Sequence, residues 1–172
     1  DILVPIYRAP GNGSMAALSG DGGKTWKTVS LPDGEGYLGD EWDVLEVEPR
    51  RLIGLHRNNH ASTDGTFWKT ESADSGRTWS KPARTNVASA RHPSPPNLGF
   101  HGKAVVLTYA DRRMVSVSMV TTKDPAFLRW DVERRQPCYL YRPDGQPIAD
   151  GSYPCSVRVS PTRRLVVDYE IS

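Results

Sequence analysis

An eight-residue pattern occurs twice, 53 residues apart: Ser19-Gly-Asp21-Gly-Gly23-Lys-Thr25-Trp26 and Ser72-Ala-Asp74-Ser-Gly76-Arg-Thr78-Trp79. Five positions, Ser, Asp, Gly, Thr and Trp, are the same in both copies. Coincident surface turns do not repeat five fixed positions. Each residue type has a physical role in a tight turn between two strands. Ser and Asp side chains bond backbone groups inside the turn. Gly supplies a positive φ. Trp packs back on a neighbouring sheet, so Trp26 and Trp79 are both expected to be buried. A worn third copy reads as Thr122-Lys-Asp124, followed late by Trp130.

The rest of the chain agrees with a β architecture. Fifteen Gly and 14 Pro punctuate 172 residues. Between them lie short runs rich in Val, Leu, Ile, Tyr and Trp: Ile2–Tyr7, Trp42–Val47, Leu52–His56, Val105–Tyr109, Val115–Val120, Ser156–Val159 and Leu165–Tyr169. Several alternate apolar with polar, the period of a strand with one buried face. No amphipathic helical stretch longer than two turns survives its Gly or Pro breaks. The fold class is therefore all-β. Hairpins run in phase with the repeat and turn near Pro49-Arg50, His101-Gly102 and Pro161-Thr162. A unit of about 50 residues closed by such a turn is one four-stranded propeller blade. Residues 1–172 then form a single partial propeller: a partial blade at 1–32, blades at 38–82 and 90–142, and an opening hairpin at 150–172.

Composition narrows the partners. The chain is 24% charged and 37% hydrophobic with net charge +2. Its arginines are scattered without a long basic run, which argues against nucleic acid. No apolar stretch approaches the ~20 residues of a membrane span. His56, His60, His92 and His101 lack metal-ligand spacing, so neither a metal nor a cofactor is expected. Cys138 and Cys155 could pair or be two buried thiols. Trp42, Trp68 and Trp130 read as packing between blades.

The repeats and their phase resemble the sialidase (neuraminidase) superfamily, whose usually six-bladed propellers carry these turns as Asp boxes, or bacterial neuraminidase repeats. The likeness spans nearly the whole chain and matches the C-terminal half of such a propeller. It implies a sialidase-like glycoside hydrolase domain or fragment acting on sialic-acid-type acidic sugars. It slightly favours a secreted or periplasmic location. In the family a Glu opens one inner strand and an Arg closes the next; Glu41, in Gly39-Asp40-Glu41-Trp42, and Arg57, in His56-Arg57-Asn58, fit that pair. A hairpin turning at Pro49-Arg50 independently places Glu41 beside Arg57. A further Arg of the family triad corresponds to Arg112, with Arg113 as its rival, and the Tyr nucleophile to Tyr153. Forked guanidinium groups suit a sugar carboxylate. A neutral Tyr, activated by a Glu, escapes the repulsion that an anionic nucleophile would meet.

The family's third Arg and its acid/base Asp belong to first blades that these residues do not match. Asp40, Asp111 and Asp150 read as carboxylates on the same rim, outside the acid/base context. The domain is thus expected to be incomplete alone, completed by the rest of a parent propeller or by a second copy in a homodimer. The alternative is a non-catalytic segment that binds acidic carbohydrate or another protein.

Overall fold

The computed structural model describes residues 1–8, 13–58, 65–88, 93–111, 116–140 and 153–169. These residues form four antiparallel sheets in which every strand pairs with its sequence neighbour. The first sheet holds β1 (Ile2–Tyr7), β2 (Ser14–Ser19) and β3 (Lys27–Ser30). The second holds β4 (Trp42–Glu48), β5 (Arg51–His56), β6 (Trp68–Ser72) and β7 (Ala83–Arg84). The third holds β8 (Asn97–His101), β9 (Ala104–Asp111), β10 (Ser116–Thr122) and β11 (Gln136–Leu140). The fourth is the hairpin of β12 (Cys155–Ser160) and β13 (Arg163–Val167). One 3-10 turn, Val132–Arg134, precedes β11.

The sheets stack in chain order. β1 packs on β4, β4 on β8, and β8 on β12, so the first strands of the last three sheets run side by side. Two side-chain clamps join those strands. The Leu98 N–H donates to Asp43 Oδ2 at 2.7 Å, and the Ser156 N–H donates to Asn97 Oδ1 at 2.7 Å. Burial pushes the Asp43 carboxyl above its ordinary range, against the two N–H groups it accepts.

Two cores fill the gaps. Between the first and second sheets lie Ala16, Leu31, Trp42, Leu52 and Trp79. A larger cluster including Ile53, Leu55, Phe67, Leu107, Tyr109 and Trp130 joins the second and third. All eight residues of β9 are buried. A strand covered on both faces has no reason to alternate, so the period of two fails there. The face of the fourth sheet carrying Val157, Val159, Leu165 and Val167 is exposed.

The repeated turns are built alike. Ser19 Oγ donates to Asp21 Oδ1 at 2.8 Å and accepts the Gly23 N–H at 2.8 Å. Asp21 also accepts Thr25 N–H at 2.9 Å and Thr25 Oγ1–H at 2.6 Å. Ser72, Asp74, Gly76 and Thr78 repeat these bonds at 2.7–2.8 Å. The threonine hydroxyls, followed by backbone N–H donors, hold Asp21 and Asp74 down at about 2. The third turn keeps the plan with other residues. Thr122 Oγ1 accepts the Asp124 N–H at 3.0 Å, and Asp124 accepts from Leu128 and Arg129 at 3.0 and 2.8 Å. Phe127, at φ +55°, stands where Gly23 and Gly76 have +91° and +87°. Each Trp Nε1–H donates to the carbonyl of that positive-φ residue, at 3.0, 3.0 and 3.2 Å.

The structure corrects two expectations. Trp79 is buried, but Trp26 is 48% exposed. Trp79 enters the core between the first and second sheets and meets Trp42 edge-on at 5.2 Å. Trp26 and Ile2 both come close to Gly23, and Trp26 is not part of that core. Cys138 and Cys155 are neither bonded nor buried: both are free, exposed thiols. Trp42, Trp68 and Trp130 are buried as expected.

Candidate functional site

Antiparallel register decides which end of the second sheet gathers charge. Trp42 pairs with His56 at one end of the β4–β5 hairpin. Leu52 pairs with Ser72 at the other, so the turn after Ser72 lies away from His56. Glu41 and Arg57 flank the Trp42–His56 pair, and the Arg57 N–H donates to the Glu41 carbonyl at 3.0 Å. Their side chains meet as an ion pair, Arg57 Nη2 to Glu41 Oε2 at 2.6 Å, a contact not aligned as a hydrogen bond.

A second carboxylate shares the guanidinium. Asp40 Oδ2 lies 3.0 Å from Arg57 Nη2 and accepts its Nε–H at 3.1 Å. Asp40 Oδ1 accepts the Glu41 N–H at 2.8 Å, and Arg57 Nη1 donates to the Pro93 carbonyl at 3.3 Å. The sequence showed Asp40 only as a rim carboxylate. Its neighbour Glu41 was the one legible signal.

The loop carrying both acids is tied down from below. Ser14 Oγ, at the start of β2, donates to the Asp40 carbonyl at 3.1 Å. The same oxygen lies 2.8 Å from Tyr37 Oη and 3.0 Å from His56 Nδ1. His56 Nε2 meets Thr70 Oγ1 at 2.8 Å, and Trp42 stacks on the imidazole at 4.8 Å. His56 is fully buried, and loss of solvation pulls its pKa to about 3, so the ring is neutral. Burial raises the Tyr37 phenol as well. Asn58 accepts the Leu38 N–H at 3.1 Å and donates to Gly36 O at 2.8 Å. Gly39 closes the approach at φ +67°, and a Cβ there would lie 2.6 Å from the Ser14 backbone nitrogen. Only glycine lets the loop rest so close to β2.

Tyr153 precedes β12 as Glu41 precedes β4. It is half-exposed, stacks on Tyr169 at 6.0 Å, and lines a cleft of about 260 Å³ with Trp42, Asp43, Asn97 and Cys155. Glu41 and Arg57 are thus in contact, and Tyr153 shares a cleft with Trp42, the residue after Glu41. Arg112 lies outside the described residues. Asp111 is buried, 3.7 Å from Arg135 Nη1. Among the described residues, no group of three His, Cys, Asp or Glu side chains could hold a metal ion. No helix there is long and apolar enough to cross a membrane.

No protein-family model and no curated protein matches the sequence. Solved structures do match. A protein of unknown function from Dyadobacter fermentans is 21% identical with a TM-score of 0.74, covering 98% of this chain and 46% of its own. The NanB sialidase from Streptococcus pneumoniae is 13% identical with a TM-score of 0.70, over 98% of this chain and 26% of its own. The intramolecular trans-sialidase from Ruminococcus gnavus is 18% identical with a TM-score of 0.59, over 90% of this chain and 33% of its own. The chain therefore spans less than half the length of these structures. At such identities the likeness concerns fold, and the fold is all-β, four antiparallel sheets that match part of a β-propeller of the kind found in these sialidase structures.

Proposed function

We propose that this chain is the C-terminal half of a sialidase-like propeller, that its three turns are Asp boxes, and that its rim binds a sialic-acid-type sugar. The observation that supports the reading is the Arg57–Glu41 contact at 2.6 Å, next in sequence to Trp42, which shares a cleft with Tyr153. Arg57 and Arg112 hold the sugar carboxylate by forked hydrogen bonds. Tyr153 is the nucleophile, and Glu41 takes its proton. Hydrolysis needs a general acid for the leaving group, which the remaining blades or a second chain supply. The second sheet is one blade and the third another, flanked by parts of two more.

Titration with N-acetylneuraminic acid, followed by NMR, tests the binding step. Binding by the chain, lost by ~10-fold or more in Arg57→Ala, is expected from removing a charged partner of a carboxylate. Equal binding by both proteins would refute the carboxylate site. Turnover of a fluorogenic sialoside by the isolated chain would show that no further blade is needed. Arg57 already engages two carboxylates, which favours, as the second reading, binding of acidic sugar without hydrolysis by this chain alone.

A further inference from the structure

We infer that Ser14, on the first sheet, is a positioning residue of the candidate site on the second: it holds Asp40 toward Arg57 through a buried hydrogen-bond chain in which His56 carries its proton on Nδ1. The effect on binding rests on the proposed carboxylate site; the bonding itself does not.

The placement of protons carries the inference. Four buried side chains meet between the two sheets: Ser14 from β2, Tyr37 from the segment before β4, His56 from β5 and Thr70 from β6. Ser14 Oγ, Tyr37 Oη and His56 Nδ1 form a triangle with sides of 2.8, 2.9 and 3.0 Å. Three hydroxyl protons and one imidazole proton must be placed among these groups. Ser14 donates its proton to the Asp40 carbonyl at 3.1 Å. Its two lone pairs then accept from Tyr37 Oη–H and from His56 Nδ1–H, the latter shared with Tyr37 Oη. The bare Nε2 accepts the Thr70 hydroxyl at 2.8 Å. Every proton has an acceptor.

The other tautomer fails on both sides of the ring. With the proton on Nε2, Thr70 Oγ1 must accept it, and among the described residues the Thr70 hydroxyl proton has no second acceptor. On the opposite side, Nδ1 then needs a donor. If Ser14 supplies it, the bond to Asp40 is given up. If Tyr37 supplies it, Ser14 faces both neighbours at 2.8 and 3.0 Å with no proton between. Either way buried polar groups go unsatisfied where water does not compensate them. Trp42, stacked on the imidazole at 4.8 Å, and Tyr37, edge-on at 5.5 Å, hold the plane of the ring. Donation therefore runs one way, from Thr70 to His56 to Ser14 to Asp40, and each bond polarises the next. The chain ends on the residue whose Oδ2 accepts the Arg57 Nε–H at 3.1 Å.

NMR of the nitrogen-labelled chain tests both parts. Couplings within the ring of wild-type His56 show which nitrogen bears the proton. Nδ1 is expected; a proton on Nε2 overturns the inference, even if no variant folds. The Arg57 Nε–H resonance then reads the hold on Asp40. It should move in Ser14→Ala and keep its place in Val29→Ala, which trims the same sheet against the same core. Equal shifts in the two variants, or none in Ser14→Ala, overturn the inference. N-acetylneuraminic acid should bind Ser14→Ala ~3–10-fold more weakly than wild type, the scale of one lost hydrogen bond, and Val29→Ala as wild type. Undiminished binding by Ser14→Ala, with Arg57→Ala still impaired, overturns the inference and leaves the carboxylate site standing. Binding insensitive to Arg57→Ala refutes that site instead, and the Nε–H resonance alone decides the role of Ser14.

Discussion

Trp79→Ala should destabilise the chain by ~3–5 kcal/mol, the range for truncating a core aromatic, while Trp26→Ala should cost less than ~1 kcal/mol, as at exposed sites. The comparison is well controlled by the repeat. Both indoles donate Nε1–H to the carbonyl three residues earlier at 3.0 Å, and both turns hold their Asp by matching bonds. What differs is the surroundings. Trp79 is 8% exposed, in the core between the first two sheets, whereas Trp26 is 48% exposed. At about 2–4 °C per kcal/mol for a chain of this size, Trp79→Ala should lower Tm by roughly 10 °C. Thermal unfolding followed by circular dichroism reads both variants. Equal shifts would mean that the turn bonds, rather than ring burial, carry the stability.

Acid should weaken the fold well before its carboxylates protonate. His56 has its pKa pulled from 6.5 to about 3 by burial. Between those values the unfolded chain binds a proton that the folded chain refuses. The unfolded state then carries more protons, so stability falls as pH falls. The His56 contribution is complete above pH ~6.5 and disappears progressively down to ~3, at a slope of up to ~1.4 kcal/mol per pH unit. Asp21 and Asp74, held at about 2, add losses of the same sign only below their ordinary value of 3.8. Asp43 works the other way: its raised pKa makes the folded chain take up a proton first as pH drops. Urea denaturation should show a loss of ~2 kcal/mol from pH 7 to pH 5. A flat profile over that span would mean that the ring accepts a proton in place.

Much of the fold was legible because the strand signals are local. The run Ile2–Tyr7 is β1 to the residue, and the runs beginning at Trp42 and ending at His56 differ from β4 and β5 by one residue each. The turns at Pro49-Arg50, at Gly102 and at Pro161-Thr162 lie where punctuation put them. Within the candidate site, hairpin arithmetic sufficed to bring Glu41 to Arg57. What escaped the sequence depends on contacts between sheets. Asp40 becomes a partner of Arg57 because Ser14, from a different sheet, fixes its loop. His56 reads as an ordinary strand residue, yet Trp42, Tyr37, Ser14 and Thr70 enclose it. Trp26 and Trp79 have the same local sequence but different neighbours, and no local pattern distinguishes them.

The clamps from Asp43 to Leu98 and from Asn97 to Ser156 make the stacked sheets a one-dimensional array. In such an array, stability is a sum of each unit's own term and its couplings to the next unit. The second and third sheets have a neighbour on both sides among the described residues, and the β12–β13 hairpin has one. That hairpin holds on through Asn97, through Thr108 at 2.7 Å from Ser156 Oγ, and through Arg164, which donates to the Phe100 carbonyl at 2.7 Å. With two strands and these few ties, the hairpin is expected to open at a lower free energy than the β4–β7 and β8–β11 sheets it stacks beside, a difference that hydrogen exchange on this chain reads directly. Because Tyr153 leads into β12, one wall of the cleft belongs to this hairpin and the opposite wall, Trp42 and Asp43, to the clamped β4.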